Sequence, residues 1–483
     1  MTNTHERSRL LPDGIAAEDS EDDNVVFWED SSDPENPQNW PRGTAWRQIA
    51  IVSLLSFLIP LGATMFAPAV HQVMLEFSST NEALSALIVS IYVLGWALGP
   101  LVLAPLSEVH GRMVIYTWSN WLYVLATVAC ALAPNLPALV VFRFLAGAVG
   151  STPMAIGGGT ISDLMGIQQR GLALSVYMFG SILGPTVGLV LGGSVADVLG
   201  WRWICWVSAG VYSLVAAAQL VFSSETYPSV ILARKTKRLQ EKTGNLALRS
   251  KLDDGLSSRQ VLARAIIRPA KMTVLSPINA VLSLVSAYLN GLGFLLLTSA
   301  PVLFRVEYGF SPRQVGLAFI GYGVGTVAGL LSFTATSDRY IRRRAALGLL
   351  KAEDRLLPVV ATGPLLAFGF LLFGWGAYFH AHWLVPVVAT GVIGASTVLF
   401  FSAVIGYLID CFTIYAASAI AANTVLRSVG GTLLPLAGRD LFDTLGWGGG
   451  SSVLALGAIL LTPALVYLYV KGESIRHKHP VHL

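Results

Sequence analysis

Apolar stretches long enough to cross a bilayer recur along this chain, and nothing constrains its fold more. A spanning helix needs roughly 20 apolar residues. Runs of about that length lie at 48–70, 84–106, 114–133, 137–160, 172–195, 202–223, 276–299, 314–336, 357–379, 383–408, 413–436 and 451–471, which makes twelve spans. The bilayer core offers no water to an exposed backbone group, so each run reads as an α-helix. Composition agrees. The 483 residues are 54% hydrophobic and 12% charged, against about 25% charged in soluble domains. The expected class is an all-α membrane protein with the lipid bilayer as its first partner.

A polar segment at 224–275 divides the spans six and six. The expected organisation is a disordered acidic tail (1–45), a six-helix bundle (46–223), a linker (224–275), a second bundle (276–471) and a short tail (472–483). The linker holds eleven Lys and Arg, and the segment between spans 8 and 9 holds six, including Arg342, Arg343 and Arg344. The loop between spans 1 and 2 and the turns after spans 3 and 9 hold none. Basic residues favour the cytoplasmic side, so both termini and the linker are expected there. The first 45 residues contain no apolar run, and no cleavable signal peptide is expected. Cys130, Cys205 and Cys411 have no metal-site spacing and read as small buried hydrophobes. No metal and no nucleic acid is expected. A phosphate-binding glycine loop, an HExxH and a nucleophile elbow are all missing, so enzymatic chemistry is not expected either.

The two halves echo each other. Span 2 ends in Ser107-Glu108-Val109-His110-Gly111-Arg112, and span 8 in Ser337-Asp338-Arg339-Tyr340. The two acids are 338 − 108 = 230 residues apart, and the starts of spans 1 and 7 differ by 276 − 48 = 228. An internal repeat of six helices fits two bundles related by an axis along the membrane normal.

Three features carry candidate chemistry. Arg143 is a lone cation inside span 4, roughly 9 Å below the surface by helical rise. A charge at that depth costs at least ~2.5–3.5 kcal/mol and marks a functional site by default. Bonding helix carbonyls, or pinning a neighbouring helix, is the structural alternative. The acid–Gly–Arg turn of Glu108, Gly111 and Arg112 suits a latch between bundles, with Asp163 after span 4 joining it and Asp338 and Arg339 as its counterpart. Span 5 places Gly180, Gly184, Gly188 and Gly192 on one stripe, with Pro185 and Gly193 beside it. Such a stripe lets another helix approach closely.

At this point the chain resembles a major facilitator superfamily transporter of twelve spans. Arg143-Phe-Leu-Ala-Gly147 resembles the family's helix-4 element associated with proton coupling. Gly180 to Gly193 resembles the helix-5 antiporter motif, and Glu108 to Arg112 the gate between helices 2 and 3. The gate departs from the family pattern at Ala104, Glu108, Val109 and Met113, which implies a weaker latch. Asn36-Pro-Gln-Asn-Trp40, Phe66-Ala-Pro-Ala69, Trp201-Arg-Trp203, Glu225-Thr-Tyr-Pro228, Tyr407-Leu-Ile-Asp410 and Ala421 to Ser428 are similar to the fungal drug:proton antiporter group. The resemblance implies a proton-coupled exporter of amphiphilic drugs, toxins or secondary metabolites. It implies alternating access, the proton gradient as the only energy source, no cofactor, and a monomer in the plasma membrane.

Tyr92, Trp96, Tyr177, Tyr288, Asn290 and Tyr322 are candidates for an aromatic, weakly polar substrate cavity, each with packing as its alternative. Asp410 and Arg427 read as an ion pair or caps near the cytoplasmic ends of spans 10 and 11. Uptake of a nutrient and a non-transporting receptor remain the competing functions. The helix-5 stripe argues against the first, and the short tail after span 12 against the second.

Overall fold

The computed structural model describes residues 24–30, 32–79, 81–252, 255, 258–349, 351–412 and 415–478. Nearly all of it is helix. Span 1 comprises α1 (Arg42–Thr64), a 3-10 turn (Ala67–Ala69) and α2 (Val70–Glu76). Spans 2 and 3 are α3 (Glu82–His110) and α4 (Arg112–Ala131), and span 4 is split into α5 (Leu136–Gly150) and α6 (Thr152–Leu164). Spans 5 and 6 are α7 (Ile167–Leu199) and α8 (Trp201–Phe222). The linker forms two helices, α9 (Pro228–Thr243) and α10 (Ser258–Leu275). Span 7 is α11 (Pro277–Tyr308), and span 8 is α12 (Pro312–Ala318) with α13 (Ile320–Ala346). Spans 9 and 10 are α14 (Leu357–Tyr378) and α15 (Leu384–Phe412). Spans 11 and 12 run on as α16 (Ala416–Lys478), with the chain reversing at Gly446, φ 69°.

Among the described residues eleven stretches are long and apolar enough to cross a membrane, against twelve expected. The missing one is span 11. It is helical from Ala416, but Asn423, Thr424, Arg427, Ser428 and Thr432 depress its hydropathy. The described N-terminal segment, the end of α16 and the linker share one face, here the terminal face; the opposite one is the distal face.

Packing repeats between the halves. In the first, α1 lies on α7 and α3 on α5; in the second, α11 lies on α16 and α13 on α15. The register repeats as well. Gly147 abuts the Tyr92 carbonyl, and Gly394 abuts the Tyr322 carbonyl. Gly99 meets Ala148, and Gly329 meets Ala395. The offset is 322 − 92 = 230 on the helix-2 side and 394 − 147 = 247 on the helix-4 side. The 230 spacing of the acids in the sequence is therefore the spacing of whole helix contacts.

The expectation of a disordered 1–45 tail fails from Asn24 onward. Val25–Val26 (β1) pairs in parallel with Arg249–Ser250 (β2) of the linker. Lys235 of α9 binds Asp33 at 3.0 Å and Glu29 at 3.2 Å, and Arg238 binds Glu35 at 3.1 Å. The acidic tail thus finds its counter-charge on the basic linker. Burial works against the Asp33 carboxylate, but backbone N–H groups of Glu29 and Glu35 and the Lys235 ammonium outweigh it and hold its pKa below the ordinary carboxylate value.

Candidate functional site

Arg143 is buried at 3% exposure. Its guanidinium donates to three backbone carbonyls: Ile88 at 3.0 Å, Gly62 at 3.1 Å and Ala63 at 2.8 Å. The cause lies in span 1. Helix α1 ends at Thr64, and the chain then turns through a 3-10 segment at Ala67–Ala69. The last carbonyls of a helix lack intrahelical partners, and Arg143 supplies donors to two of them. Its planar group also faces the rings of Phe66 at 4.3 Å and Tyr92 at 4.7 Å. No carboxylate contacts it among the described residues. Beside it is a space of about 10 Å³ lined by Tyr92, Tyr123, Cys130 and Cys205, room for about one water. Span 4 has its own break, at Pro153. The carbonyl that this proline leaves without a donor, Val149, is served by the Thr152 hydroxyl at 2.9 Å.

The span-5 stripe is seated on span 1. A Cβ at Gly180 would lie 3.3 Å from Phe57, and one at Gly184 2.7 Å from the Phe57 carbonyl. At Gly188 and Gly192 it would run into the backbone of Leu61 and Met65. Each four-residue step along α7 therefore matches one along α1. Thr64 donates to the Pro185 carbonyl at 2.8 Å and pins the two helices at the break. Gly193 points the other way. Its Cβ would strike Pro312 and Gly316 of the second half, Gly316 abuts Leu189, and Gly323 abuts Thr186. Span 5 is thus both the seam within the first bundle and part of the seam between bundles. Thr432 on span 11 donates to the Ser90 carbonyl on span 2 at 3.2 Å and ties the halves a second time. These approaches lie in the distal half of the spans. A cavity of about 1040 Å³ opens on the distal face between the halves, with His71, Arg305, Asp443 and Trp447 among its walls.

On the terminal face Arg112 binds Asp163 at 3.0 Å and the Ser107 hydroxyl at 3.1 Å. It also stacks over Tyr227 at 4.7 Å. Glu225 completes the cluster, accepting from the backbone N–H of Arg112 at 2.9 Å and of Met113 at 3.1 Å. An acid at a helix N-terminus satisfies orphan donors and the helix dipole. Gly111 adopts φ 99°, and a side chain there would collide with Glu225. Burial raises the Tyr227 phenol above its ordinary pKa and keeps it neutral. Glu225 was legible only as part of a family-like string; its capping role needed the fold to bring residue 225 to residue 112. Glu108 sits in α3 one turn before Arg112.

The second half builds its cluster differently. Arg344 pairs with Asp354 at 3.3 Å, Arg355 with Asp410 at 2.8 Å, and Arg476 with Glu353 at 3.6 Å. Asp410 therefore pairs with Arg355, while Arg427 lies over the Phe401 ring at 5.1 Å. Arg339 is exposed on α13. The Asp338 side chain lies outside the described residues.

The six cavity candidates are dispersed. Tyr92 packs edge-on against Trp96 at 5.5 Å, inside the first bundle beside Arg143. Tyr177 donates to the Pro153 carbonyl at 2.9 Å and braces the break in span 4. Tyr288 donates to the Leu454 carbonyl at 3.0 Å, joining spans 7 and 12. Asn290 donates to the Arg427 carbonyl at 2.9 Å, and Tyr322 packs against Gly394 of span 10. A glycine lies against the rings of Tyr177 (Gly157), Tyr288 (Gly457) and Tyr322 (Gly394), which marks these three as packing.

Comparison with known proteins agrees with this architecture. The sequence pattern of the Major Facilitator Superfamily matches residues 52–435. The chain is 43% identical to "Efflux pump radE" of Floropilus chiversii, over 96% of this chain and 86% of that one. It is 45% identical to "MFS-type transporter atr4" of Stereocaulon alpinum, over 97% and 85%. Among solved structures, an inward-facing bacterial homologue of the human lysosomal transporter Spinster superposes with a TM-score of 0.65 at 13% identity, over 92% of this chain and 100% of that one. A D-xylose–proton symporter gives 0.66 at 15% identity, over 88% and 97%. Two six-helix halves in matching register, joined by a linker and closed on each other through spans 2, 5, 8 and 11, are the architecture of a membrane transporter and not of an enzyme, and the chain belongs to the Major Facilitator Superfamily.

Proposed function

We propose that this transporter is a proton-coupled exporter of amphiphilic small organic molecules of the secondary-metabolite or drug type, working by alternating access. The observation that carries this reading is the glycine stripe of span 5. It seats on span 1 with no side chain between them and continues at Gly193 into the seam with the other half. A helix packed on both sides by backbone transmits rocking of one bundle into closure against the other. A relative of this chain that carries the name "Efflux pump radE" favours export as the direction.

Arg143 keeps its charge at any accessible pH and is not itself the proton carrier. Its proposed role is to hold the broken end of span 1 and to organise the single-water space beside it. Each proton entering supplies about 2.3 kcal/mol per 100 mV. The terminal face is read as cytoplasmic and the protein as a monomer in the plasma membrane. Cysteines placed at Asn245 and at Ser79 should label from opposite sides, the first from the cytosol; labelling from one side refutes this topology.

The test of the function is accumulation of a fluorescent amphiphilic drug in cells expressing the protein. Low accumulation that rises on adding a protonophore is expected. Accumulation that is unchanged by expression, or by the protonophore, refutes proton-driven export.

A further inference from the structure

Arg143 and Arg427 both lie deep in membrane-spanning helices, and their surroundings are opposite. Arg143 donates to three carbonyls. The Arg427 guanidinium donates no hydrogen bond to any described residue; its one described partner is the face of Phe401. A guanidinium carries five donors and cannot shed its proton. Three described acids of the second half near the terminal face are already engaged: Asp410 by Arg355, Glu353 by Arg476 and Asp354 by Arg344.

The position of Arg427 is also specific. It lies 427 − 416 = 11 residues into α16, roughly 16 Å along the helix from its terminal end and so deeper than the span end where sequence places it. The same helix, a little over one turn on, bonds to the other half through Thr432 and Ser90. Its backbone is held to span 7 by Asn290 on the Arg427 carbonyl and by Asn423 on Ser286 at 2.9 Å. These neutral groups fix where the arginine stands and supply no counter-charge. The residue is half-buried.

We propose that Arg427 is an anion-recognising residue of the transport path. It takes a carboxylate, or an equally acidic enolate or phenolate oxygen, of an amphiphilic substrate. The planar fork matches two acceptor oxygens, and Phe401 beneath it offers a surface for the substrate's apolar body. This names the substrate class for the exporter proposed above and rests on that reading.

The test uses three probes with one aromatic body, ending in a carboxylate, a carboxamide or a dimethylamine. Binding to the purified full chain in detergent is measured by fluorescence titration. The expected result is carboxylate binding at least about tenfold tighter than the carboxamide. Arg427→Gln should erase that ratio while leaving carboxamide affinity within about twofold. Arg427→Lys, which keeps the charge but not the fork, should reduce the ratio and serves if the glutamine variant does not fold. Equal wild-type affinity for carboxylate and carboxamide overturns the assignment. So does an Arg427→Gln or Arg427→Lys variant that weakens both probes equally, which is the signature of a structural staple between spans 10 and 11. Binding is read without a gradient, so a failure of export in the cell assay leaves these outcomes intact.

Discussion

Span 1 and span 7 hold equivalent places in the two halves, yet one is broken and the other is not. Helix α1 stops at Thr64, before the Ala67-Pro68-Ala69 turn, whereas α11 runs unbroken for 32 residues past Pro301. The offset of 247 that pairs Gly147 with Gly394 places Thr390 opposite Arg143. Thr390 donates only to its own helix, to Val387 at 2.7 Å. A buried charge thus occurs where a helix break leaves carbonyls without donors, and a neutral residue where the helix is whole. The position of Arg143 is accounted for by the geometry of span 1, and any role in coupling acts through that geometry. The seams differ in the same way. Span 5 presents glycine at every fourth position to span 1. Span 11 presents Gly430, Leu434 and Gly438 to span 7, and Leu434 is received by Gly291.

The largest expected effect breaks the first seam. Gly188→Leu forces a side chain into the backbone of Leu61 and should abolish export, by about a hundredfold or more per folded molecule, while protein still reaches the membrane. Gly438→Ala meets the Leu295 side chain and no backbone, and should keep more activity than Gly188→Leu. Equal export rates for the two variants would erase the contrast between the seams.

Next comes the break itself. Arg143→Ala leaves the Gly62 and Ala63 carbonyls buried without donors, at about 1–3 kcal/mol each. Thr390→Val removes one intrahelical bond and should cost about 1 kcal/mol or less. Thermal unfolding in detergent measures both. Substrate-driven proton movement in proteoliposomes then tests coupling: Arg143→Lys should be impaired, and full coupling by a folded alanine variant would refute the coupling role.

A smaller contrast lies in the terminal-face clusters. The Arg112–Asp163 side chains are 11% and 12% exposed, and those of Arg355–Asp410 are 31% and 38%. Asp163→Asn should cost about 1–3 kcal/mol, because it leaves a largely buried guanidinium with a weaker partner. Asp410→Asn should cost about 0.5 kcal/mol, as exposed pairs do. Matching losses in unfolding midpoint would show that burial does not separate the clusters.

The smallest effect concerns the docked tail. Asp33 has a depressed pKa when docked, so its contribution is present at neutral pH and is lost as pH falls through that depressed value. Lys235 has a raised pKa, so its contribution is lost only in strong alkali. Acidification below the ordinary carboxylate range, or Asp33→Asn, should speed proteolysis of the segment near residues 24–36 without unfolding the bundles. Protection unchanged in Asp33→Asn would show that the strand pairing, and not the ion pair, holds the tail.

Hydropathy and the spacing of like motifs determined the class, the starts of the spans to within about two turns, and the twofold repeat, because bilayer thickness and backbone satisfaction leave a chain few choices; the helices of spans 7 and 8 run 9 and 10 residues past their expected ends. The glycine register of span 5 likewise announced a close helix contact before any partner was known. What sequence left undecided was which groups meet. Arg143 reads in sequence as a charge seeking a function, and two of its three acceptors are carbonyls at a helix end 80 and 81 residues away. Glu225 acts on Arg112 from 113 residues away. Arg427 and Asp410 read as an ion pair or as caps, and the fold gives that acid to Arg355. Side-chain satisfaction depends on distances between helices that are far apart in the chain, and the order in which helices pack is set by tertiary structure alone.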